Sequence, residues 1–329
     1  MAARIEAAPT INAPDLVDLR QISSSHLEGL LEEESRAWAE SLDWDFRKSA
    51  DLVRRYVDLR ALSGAALLAG GAAVGYSYFV LEEHKALVGD LFVTREFRTV
   101  AHEDRLLGAV LAALMSNPQV RRIESQLMMI LAEPGRILPG SRFLSTFERN
   151  FMLLDLVHAP GLIQKLPRYP VYFEKWAEHY QETGAQLIAA AYVGHVDSWI
   201  NDQYRSLAGA RRFLYNIVQY PGCGNFFRPA SYVALDTRKG NLCGLSLASL
   251  VGPEAGHITQ ICVSPPVRGT GVGYELLRLS LAHLRRHGCR KVSLTVTASN
   301  REAVDLYERT GFRTLRKFTA HVWEGFARP

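Results

Sequence analysis

Hydrophobic and polar positions change their spacing along the chain, and the first clear pattern lies between residues 61 and 81. No charged residue occurs there, and the apolar residues form two runs, SGAALLA and AAVGYSYFVL, separated by Gly70 and Gly71. An uncharged stretch of this length could span a membrane as one helix. The glycine pair at its centre instead favours two strands joined by a turn. The sequence therefore predicts a β-hairpin here and no membrane segment.

A second pattern joins a strand to a helix in the C-terminal half. Residues 257–263, HITQICV, alternate as a strand does, and residues 276–284 form a leucine-rich amphipathic helix. Alternation predicts one strand face with His257, Thr259, Ile261 and Val263, and an opposite face with Ile258, Gln260 and Cys262. Between the strand and the helix, glycines alternate at positions 269, 271 and 273.

These glycines predict an anion site at the turn. Without Cβ atoms, backbone N–H groups can approach a ligand closely, and the positive end of the following helix favours phosphate. Two common phosphate motifs do not fit. A P-loop requires a lysine directly after its last glycine, and Gly273 is followed by Tyr274. The G-x-G-x-x-G spacing of dinucleotide-binding proteins is missed by one residue.

The chain also repeats itself at low identity. Residues 91–107, LFVTREFRTVAHEDRLL, align with residues 261–277, ICVSPPVRGTGVGYELL, and Arg98 falls on Arg268. The elements predicted around both copies follow the same order, and the proline-rich stretch HAPGLIQKLPRYP separates them. We therefore predict an α/β fold with mixed sheets in two tandem domains of one kind. The predicted bounds are 1–160 for the first domain, 161–170 for a linker and 171–329 for the second domain.

The two copies differ at the glycines. The first copy has Thr99, Ala101 and Glu103 where the second has glycine. A glutamate at this place would oppose an anion, so we expect that the first domain has lost the site.

The composition of the chain disfavours several classes of function. The 329-residue chain is 48% hydrophobic and 22% charged, as in ordinary globular proteins with a sizeable core. A net charge of +4 without a basic face does not suit a nucleic-acid partner. The cysteines at 223, 243, 262 and 289 lack metal-ligand spacing, and the N-terminus lacks an apolar signal-peptide core. We therefore expect reduced thiols in a cytoplasmic protein.

Two motifs in the second domain identify a family. The loop has the pattern R-x-x-G-x-G at Arg268, Gly271 and Gly273, and residues 300–312 have the pattern N-x-x-A-x-x-L-Y-x-x-x-G-F. In this order they resemble the GNAT superfamily of acyl-CoA-dependent N-acyltransferases. The resemblance covers residues 185–325, and the first domain only through the repeat. It implies that acetyl-CoA is the co-substrate and that its diphosphate lies on the glycine loop.

The resemblance also implies which residues hold the cofactor. Backbone groups of the strand before the loop would bind the pantetheine arm as an extra strand would. Asn300, at the start of the next helix, would contact the same arm or serve only as a helix cap. The predicted cofactor residues are Ile261, Cys262, Val263, Arg268, Gly269, Thr270, Gly271, Val272, Gly273, Asn300 and Tyr307.

The catalytic candidates are Tyr307, His257 and Glu254. By resemblance, Tyr307 is the general acid that protonates the departing thiolate, and the alternative is a half-buried packing tyrosine. Relatives often carry a glutamate base at the position of His257. An imidazole could serve as this base, or His257 could be merely a hydrogen-bonded residue at the strand end. Glu254, in the turn before the strand, is the alternative base.

The acceptor side is expected in YVGHVDSWINDQYRS, residues 192–206. The resemblance places this connection between two helices next to the acceptor pocket, where carboxylates would suit a cationic amine. Capping of helices by Asp197 and Asp202 is the simpler alternative, and the spacing does not provide clear metal-ligand geometry. The candidate acceptor residues are His195, Asp197, Asn201, Asp202 and Tyr204.

The leading interpretation is an N-acyltransferase with one working site in the second domain, no metal, and a small-molecule or protein amine as acceptor. The alternative is a non-catalytic acyl-CoA sensor, favoured by the missing strand glutamate. A nucleotide-phosphate enzyme is disfavoured because the P-loop lysine is absent. The sequence does not decide the acceptor, the acyl chain length, or whether the chain is a monomer or a homodimer.

Overall fold

The computed structural model describes residues 13–159, 161–220, 222 and 224–326. It divides into two compact units. The first comprises the residues up to Glu34, Ala50–Phe143 and those from Glu324, and the second comprises Ser35–Ser49 and Leu144–Trp323. Helix α1 (Ser24–Leu42) contributes residues to both units.

The first unit is built on a sheet with the strand order β1-β2-β3-β4-β5. Its further elements are β1 (Asp15–Asp18), α2 (Arg47–Asp58) from Ala50 onward, β2 (Ser63–Ala69), β3 (Ala72–Glu82), β4 (Lys85–Val93), α3 (Val100–Met115) and β5 (Arg122–Gln126). Strands β2, β3 and β4 pair antiparallel, whereas β4 and β5 are parallel and connected through α3. Helix α3 buries Leu106, Leu107 and Val110, so its apolar face supplies the core.

The second unit is built on a sheet with the order β13-β6-β12-β11-β10-β9-β7, and β8 pairs with β10. Its strands are β6 (Leu144–Asp155), β7 (Val171–Lys175), β8 (Asn225–Phe226), β9 (Tyr232–Asp236), β10 (Leu242–Leu250), β11 (Ala255–Val263), β12 (Lys291–Thr297) and β13 (Arg313–Glu324). Its helices are α4 (Gln181–Ala191), α5 (Asp197–Ile200), α6 (Leu207–Gln219), α7 (Val272–His287) and α8 (Arg301–Thr310). Helices α7 and α8 pack on one core cluster, and α4 and α6 pack on another.

The predicted hairpin is confirmed. Strands β2 and β3 pair antiparallel from Ala69 and Ala72 outward. Gly70 and Gly71 form the turn with φ angles of 56° and 82°. Residues other than glycine adopt such backbone angles only with strain. Among the described residues, no helix is both long and apolar enough to cross a membrane.

The predicted repeat is visible in the strands. Strands β4 and β11 are both nine residues long, and both pair with the next parallel strand over their first four residues. Each also carries a bulge against its antiparallel neighbour, at Gly89 in β4 and at Thr259 in β11. The α/β fold with mixed sheets is therefore confirmed in both units.

The bulge corrects the predicted faces of the HITQICV strand. Opposite β10, Leu247 pairs with Gln260 and Ala248 pairs with Ile258, so Thr259 is the extra residue. Alternation is interrupted at this point. Ile258 and Ile261 therefore pack against the same core cluster beneath α7, although simple alternation placed them on opposite faces.

The compact units differ from the predicted domain bounds at one segment. Strand β6 was assigned to the first domain, 1–160, but it pairs antiparallel with both β12 and β13 inside the second unit. Its placement depends on pairing with strands more than a hundred residues later, which local patterns do not reveal. The division into 1–160, 161–170 and 171–329 stays a prediction.

The cysteines of the described chain are free thiols. These are Cys243, Cys262 and Cys289, and Cys223 lies outside the described residues. Burial raises the pKa of Cys243 to about 11 and that of Cys262 to about 12. A thiol with a raised pKa is a poor nucleophile, so these two residues are packing residues.

Candidate functional site

The glycine loop connects β11 to α7 within the second unit. Pro265–Val267 form one turn of 3₁₀ helix, and the chain then passes through Gly269 and Gly271 with φ angles of 71° and 95°. Both angles lie in the left-handed region that favours glycine. Gly271 is the N-cap of α7. The backbone conformation of the loop therefore favours glycine at both positions.

The N-terminus of α7 is suited to an anion. The first-turn N–H groups of Val272, Gly273 and Tyr274 have no acceptor within the helix, and Gly271 has no side chain that could cap them. The open donors and the positive helix end together favour a phosphate group. A Cβ on Gly273 would meet only Val263 Cγ1, at 3.8 Å, so this position has room.

The equivalent helix start in the first unit is closed by its own side chains. Thr99 caps α3 by accepting from the N–H of His102 at 3.2 Å. Glu103 is 1% exposed, accepts from the N–H of Leu131 at 3.0 Å, and pairs with Arg136 at 2.6 Å. An internal carboxylate thus occupies the helix start, as expected from the loss of the glycines.

Arg268 lies in the loop, but its side chain is directed elsewhere. Its Nη2 donates to the backbone oxygen of Ala191, at the C-terminus of α4, at 2.5 Å. This bond holds the loop against α4. The guanidinium therefore positions the loop in this structure.

Strands β11 and β12 separate beside the loop. Their parallel pairing runs from Ala255 to Ile258 on β11 and ends there, although β11 continues to Val263. The edge of Ile261–Val263 on this side has no partner strand among the described residues. Its backbone groups are therefore open to an extended ligand, and this opening leads to the loop. The strand and loop residues of the predicted cofactor set thus lie along one continuous edge, and their role in binding acetyl-CoA stays a prediction.

Tyr307 lies on α8 within the same core. It is 7% exposed and packs edge-on against Phe312, with ring centroids 5.9 Å apart. Burial, together with the nearby Asp197 and Cys262, raises the pKa of Tyr307 well above its usual value. No hydrogen bond joins its hydroxyl to another residue of the described chain. The phenol is therefore protonated at physiological pH, and its raised pKa makes it a weaker acid than a solvated tyrosine.

The helix connection after α4 reaches the start of α8. Nε2 of His195 lies 3.2 Å from Nδ2 of Asn300, and Nδ1 of His195 accepts from the N–H of Asp197 at 3.2 Å. Asp197 accepts a hydrogen bond from Thr297, at the end of β12. Asn300 also caps α8 through the N–H of Ala303. Of the predicted acceptor residues, His195 thus contacts Asn300 directly and Asp197 contacts His195, and Asp197 lies near Tyr307.

The other three predicted acceptor residues have structural contacts. Asn201 caps a short 3₁₀ helix by accepting from the N–H of Gln203, and Asp202 lies in the first turn of that helix. Tyr204 stacks on Tyr192 with ring centroids 4.2 Å apart. Its hydroxyl donates to Gln260 at 3.3 Å. The N–H of Asn201 also donates to the backbone oxygen of Asp197 at 2.9 Å. Tyr192 packs edge-on against His195 as well, with ring centroids 5.1 Å apart, so these residues support the His195–Asp197 cluster from behind.

One residue of the cluster could not be found from the sequence. Nη1 of Arg149, on β6, lies 3.9 Å from Oδ1 of Asp197, and the Arg149 side chain is 12% exposed. Its Nε is buried and has no hydrogen-bond partner among the described residues. Arg149 belonged to the other predicted domain, so no local motif connected it with this site.

The structure gives His257 a packing environment. The residue is 6% exposed, and its ring lies 5.2 Å from that of Trp44 and 6.5 Å from that of Phe151. Nδ1 lies 2.9 Å from Oγ of Ser293. Burial lowers the pKa of His257 to about 4. The imidazole is therefore neutral at pH 7 and is a weak base.

Glu254 is exposed and lies at the other end of β11 from the glycine loop. It lines a cavity of about 730 Å³ together with Arg36, Asp43 and Arg290. Strand β11 lies between Glu254 and the loop and has nine residues. At a rise of about 3.3 Å per residue, Glu254 lies roughly 30 Å from Val263. The geometry therefore places Glu254 far from the loop.

Comparison with known proteins identifies the domain. Residues 175–312 match the model of the acetyltransferase (GNAT) family. The chain carries a GNAT acetyltransferase domain. The mycothiol acetyltransferase of Geodermatophilus obscurus is 48% identical over 62 residues, which are 18% of this chain and 20% of that protein. The matched stretch thus spans about a fifth of this curated relative.

Solved structures resemble this chain over nearly its whole length. A GCN5-related N-acetyltransferase from Sphaerobacter thermophilus has a TM-score of 0.65 at 17% identity, covering 95% of this chain and 96% of that one. A tandem GNAT protein from the clavulanic acid biosynthesis pathway has a TM-score of 0.64 at 18% identity, covering 96% and 99%. These likenesses establish the fold, which consists of two tandem GNAT-like domains.

Proposed function

We propose that this protein is an N-acetyltransferase that transfers an acetyl group from acetyl-CoA to a primary amine by direct attack in a ternary complex. The observation that carries the proposal is the uncapped start of α7 beside the open edge of β11. A diphosphate on the loop and an extended arm along this edge match the shape of CoA. The GNAT family match over residues 175–312 supports the same cofactor.

When bound, acetyl-CoA supplies the activated thioester. The N–H groups of Val272, Gly273 and Tyr274 hold its diphosphate, and the backbone of Ile261–Val263 binds its arm. Tyr307 donates its hydroxyl proton to the departing sulfur and regains a proton from solvent. Holding both reactants in this geometry supplies much of the rate enhancement.

We place the amine at the cluster of Asp197, His195 and Arg149. The carboxylate of Asp197 attracts an ammonium group, and its side chain is 13% exposed, so this attraction is little weakened by water. The amine must lose a proton before it attacks. Nδ1 of His195 already accepts from the Asp197 N–H, so we assign this proton to Nε2 of the imidazole, which faces the Asn300 amide at 3.2 Å. The low pKa of His257 and the remote position of Glu254 do not favour either as the base.

The acceptor is proposed only as a class, a primary amine on a small molecule or on a protein. The relative named mycothiol acetyltransferase favours a small molecule. A cytoplasmic location, the absence of a catalytic metal and the monomeric or dimeric state stay predictions.

Turnover of acetyl-CoA with a panel of amines tests the proposal. The panel includes small diamines, aminosugars, and peptides with a free N-terminus or lysine, and thiol release is the readout. Replacing Tyr307 by Phe should lower kcat by about 10²- to 10⁴-fold and leave the acetyl-CoA Kd unchanged. The exposed Tyr215 provides the control Tyr215→Phe, which should keep full activity. Acetyl-CoA binding without turnover on any amine would favour the sensor alternative.

A further inference from the structure

Residues 161–168, which we call the strap, lie on the glycine loop within the second unit. The hydroxyl of Tyr274 donates to the backbone oxygen of Ile163 at 2.7 Å. The N–H of Arg168 donates to the backbone oxygen of Thr270 at 2.8 Å, and its Nη2 donates to that of Gly269 at 2.7 Å. The strap is thus held at three points around the start of α7.

The strap contacts the loop without using the backbone N–H donors at the start of α7. At Gly269 and Thr270, the loop contributes carbonyl oxygens as acceptors. The first-turn N–H groups of α7 remain open. Pro167 comes close to the loop as well, since its Cα lies 3.6 Å from the position that a Cβ would take on Gly271. An anion on the α7 N–H groups would therefore have the strap next to it.

Two cationic side chains of the strap flank this place. Nζ of Lys165 lies 5.1 Å from the centre of the Tyr274 ring, and the Arg168 guanidinium lies at Gly269. In the described chain, neither cation has a carboxylate within ion-pair distance. The nearby Glu275 carboxylate pairs with Arg278 at 2.6 Å, and it receives only a long 3.4 Å bond from the Lys165 backbone N–H. The side chain of Arg268 is directed to Ala191.

We propose that Lys165 and Arg168 of the strap bind the phosphate groups of acyl-CoA, so that the segment between the two repeats completes the cofactor site. This inference rests on the proposed function. Three features of the site support it: an anion-binding helix start, two cations without carboxylate partners beside it, and a loop arginine engaged elsewhere. Lys165 and Arg168 are exposed, so a ligand can reach both cations directly.

Calorimetric titration of acetyl-CoA into the full chain tests the strap. Replacing Lys165 or Arg168 by Ala should each weaken binding about fivefold at low salt, and the double variant about 25-fold. The losses should shrink at 0.5 M NaCl, because salt screens exposed charges. The variant Arg168→Lys should regain most of the affinity. The control is Lys239→Ala, an exposed cation on the turn between β9 and β10, which should bind as the wild type does.

A double variant with wild-type affinity would overturn the proposal. A loss that is equal at low and high salt, and that Arg168→Lys does not restore, would also overturn it, since the strap would then only shape the loop. Failure of the proposed function is distinguishable. In that case the wild type itself does not bind acetyl-CoA, whereas a wrong strap proposal leaves wild-type binding intact.

Discussion

Replacing His257 by Asn should remove an acid sensitivity that is built into the second unit. His257 is 6% exposed between Trp44 and Phe151, and burial lowers its pKa to about 4. In the unfolded chain an imidazole has a pKa of about 6.5. The unfolded state therefore binds more protons below pH 6.5, and stability falls as pH drops from 6.5 towards 4.

The magnitude follows from the two pKa values. Between pH 7 and pH 5, this histidine alone should cost the folded state about 2 kcal/mol, since each pKa unit corresponds to about 1.4 kcal/mol. The Asn variant loses packing and is less stable at pH 7. Its further loss between pH 7 and pH 5 should nevertheless be about 2 kcal/mol smaller than that of the wild type.

Urea unfolding at pH 7 and pH 5 measures this difference. The control is Ile217→Val, in the core cluster of α4 and α6, which removes buried apolar volume away from His257 and no titrating group, so its cost should be the same at both pH values. If wild type and His257→Asn lose the same stability between pH 7 and pH 5, His257 is not a neutral buried residue. The base role would then regain support.

Two further predictions concern the carboxylates. Glu103→Gln removes the charge that pairs with the buried Arg136, and it should destabilise the first unit by about 3 kcal/mol in chemical unfolding. Acetyl-CoA binding should not change, and the exposed Glu96→Gln should have no comparable effect on stability. Asp197→Asn should raise the KM for the amine more than tenfold and leave the acetyl-CoA Kd unchanged, as steady-state kinetics and calorimetry would show. An unchanged KM would exclude the proposed ammonium contact.

The sequence predicted those elements that depend on residue types within a few positions of each other. The glycine pair at 70 and 71 marked the hairpin turn, and the alternating glycines marked the start of α7. The replacement of glycine by Glu103 indicated the loss of the anion site in the first unit, where this carboxylate is now found buried. In these cases the residue type is required by the backbone conformation or by charge, so the sequence carries the information directly.

Features that depend on distant segments were not predictable. HITQICV contains no glycine, so nothing in it indicated the bulge at Thr259 that changes the strand faces. The burial of His257 depends on Trp44, more than two hundred residues earlier in the chain. Arg149 reaches Asp197 because β6 pairs with β12 and β13, and such pairing follows from the assembled sheet.

The most direct test is a calorimetric titration of acetyl-CoA into the wild type, Gly273→Ala and Gly273→Glu. Gly273 has room for a Cβ, and the Glu variant recreates the carboxylate that the first repeat carries at Glu103. We expect one site per chain in the wild type, similar affinity with Ala, and no measurable binding with Glu. Two sites in the wild type, or binding that survives Gly273→Glu, would contradict a single cofactor site at the start of α7.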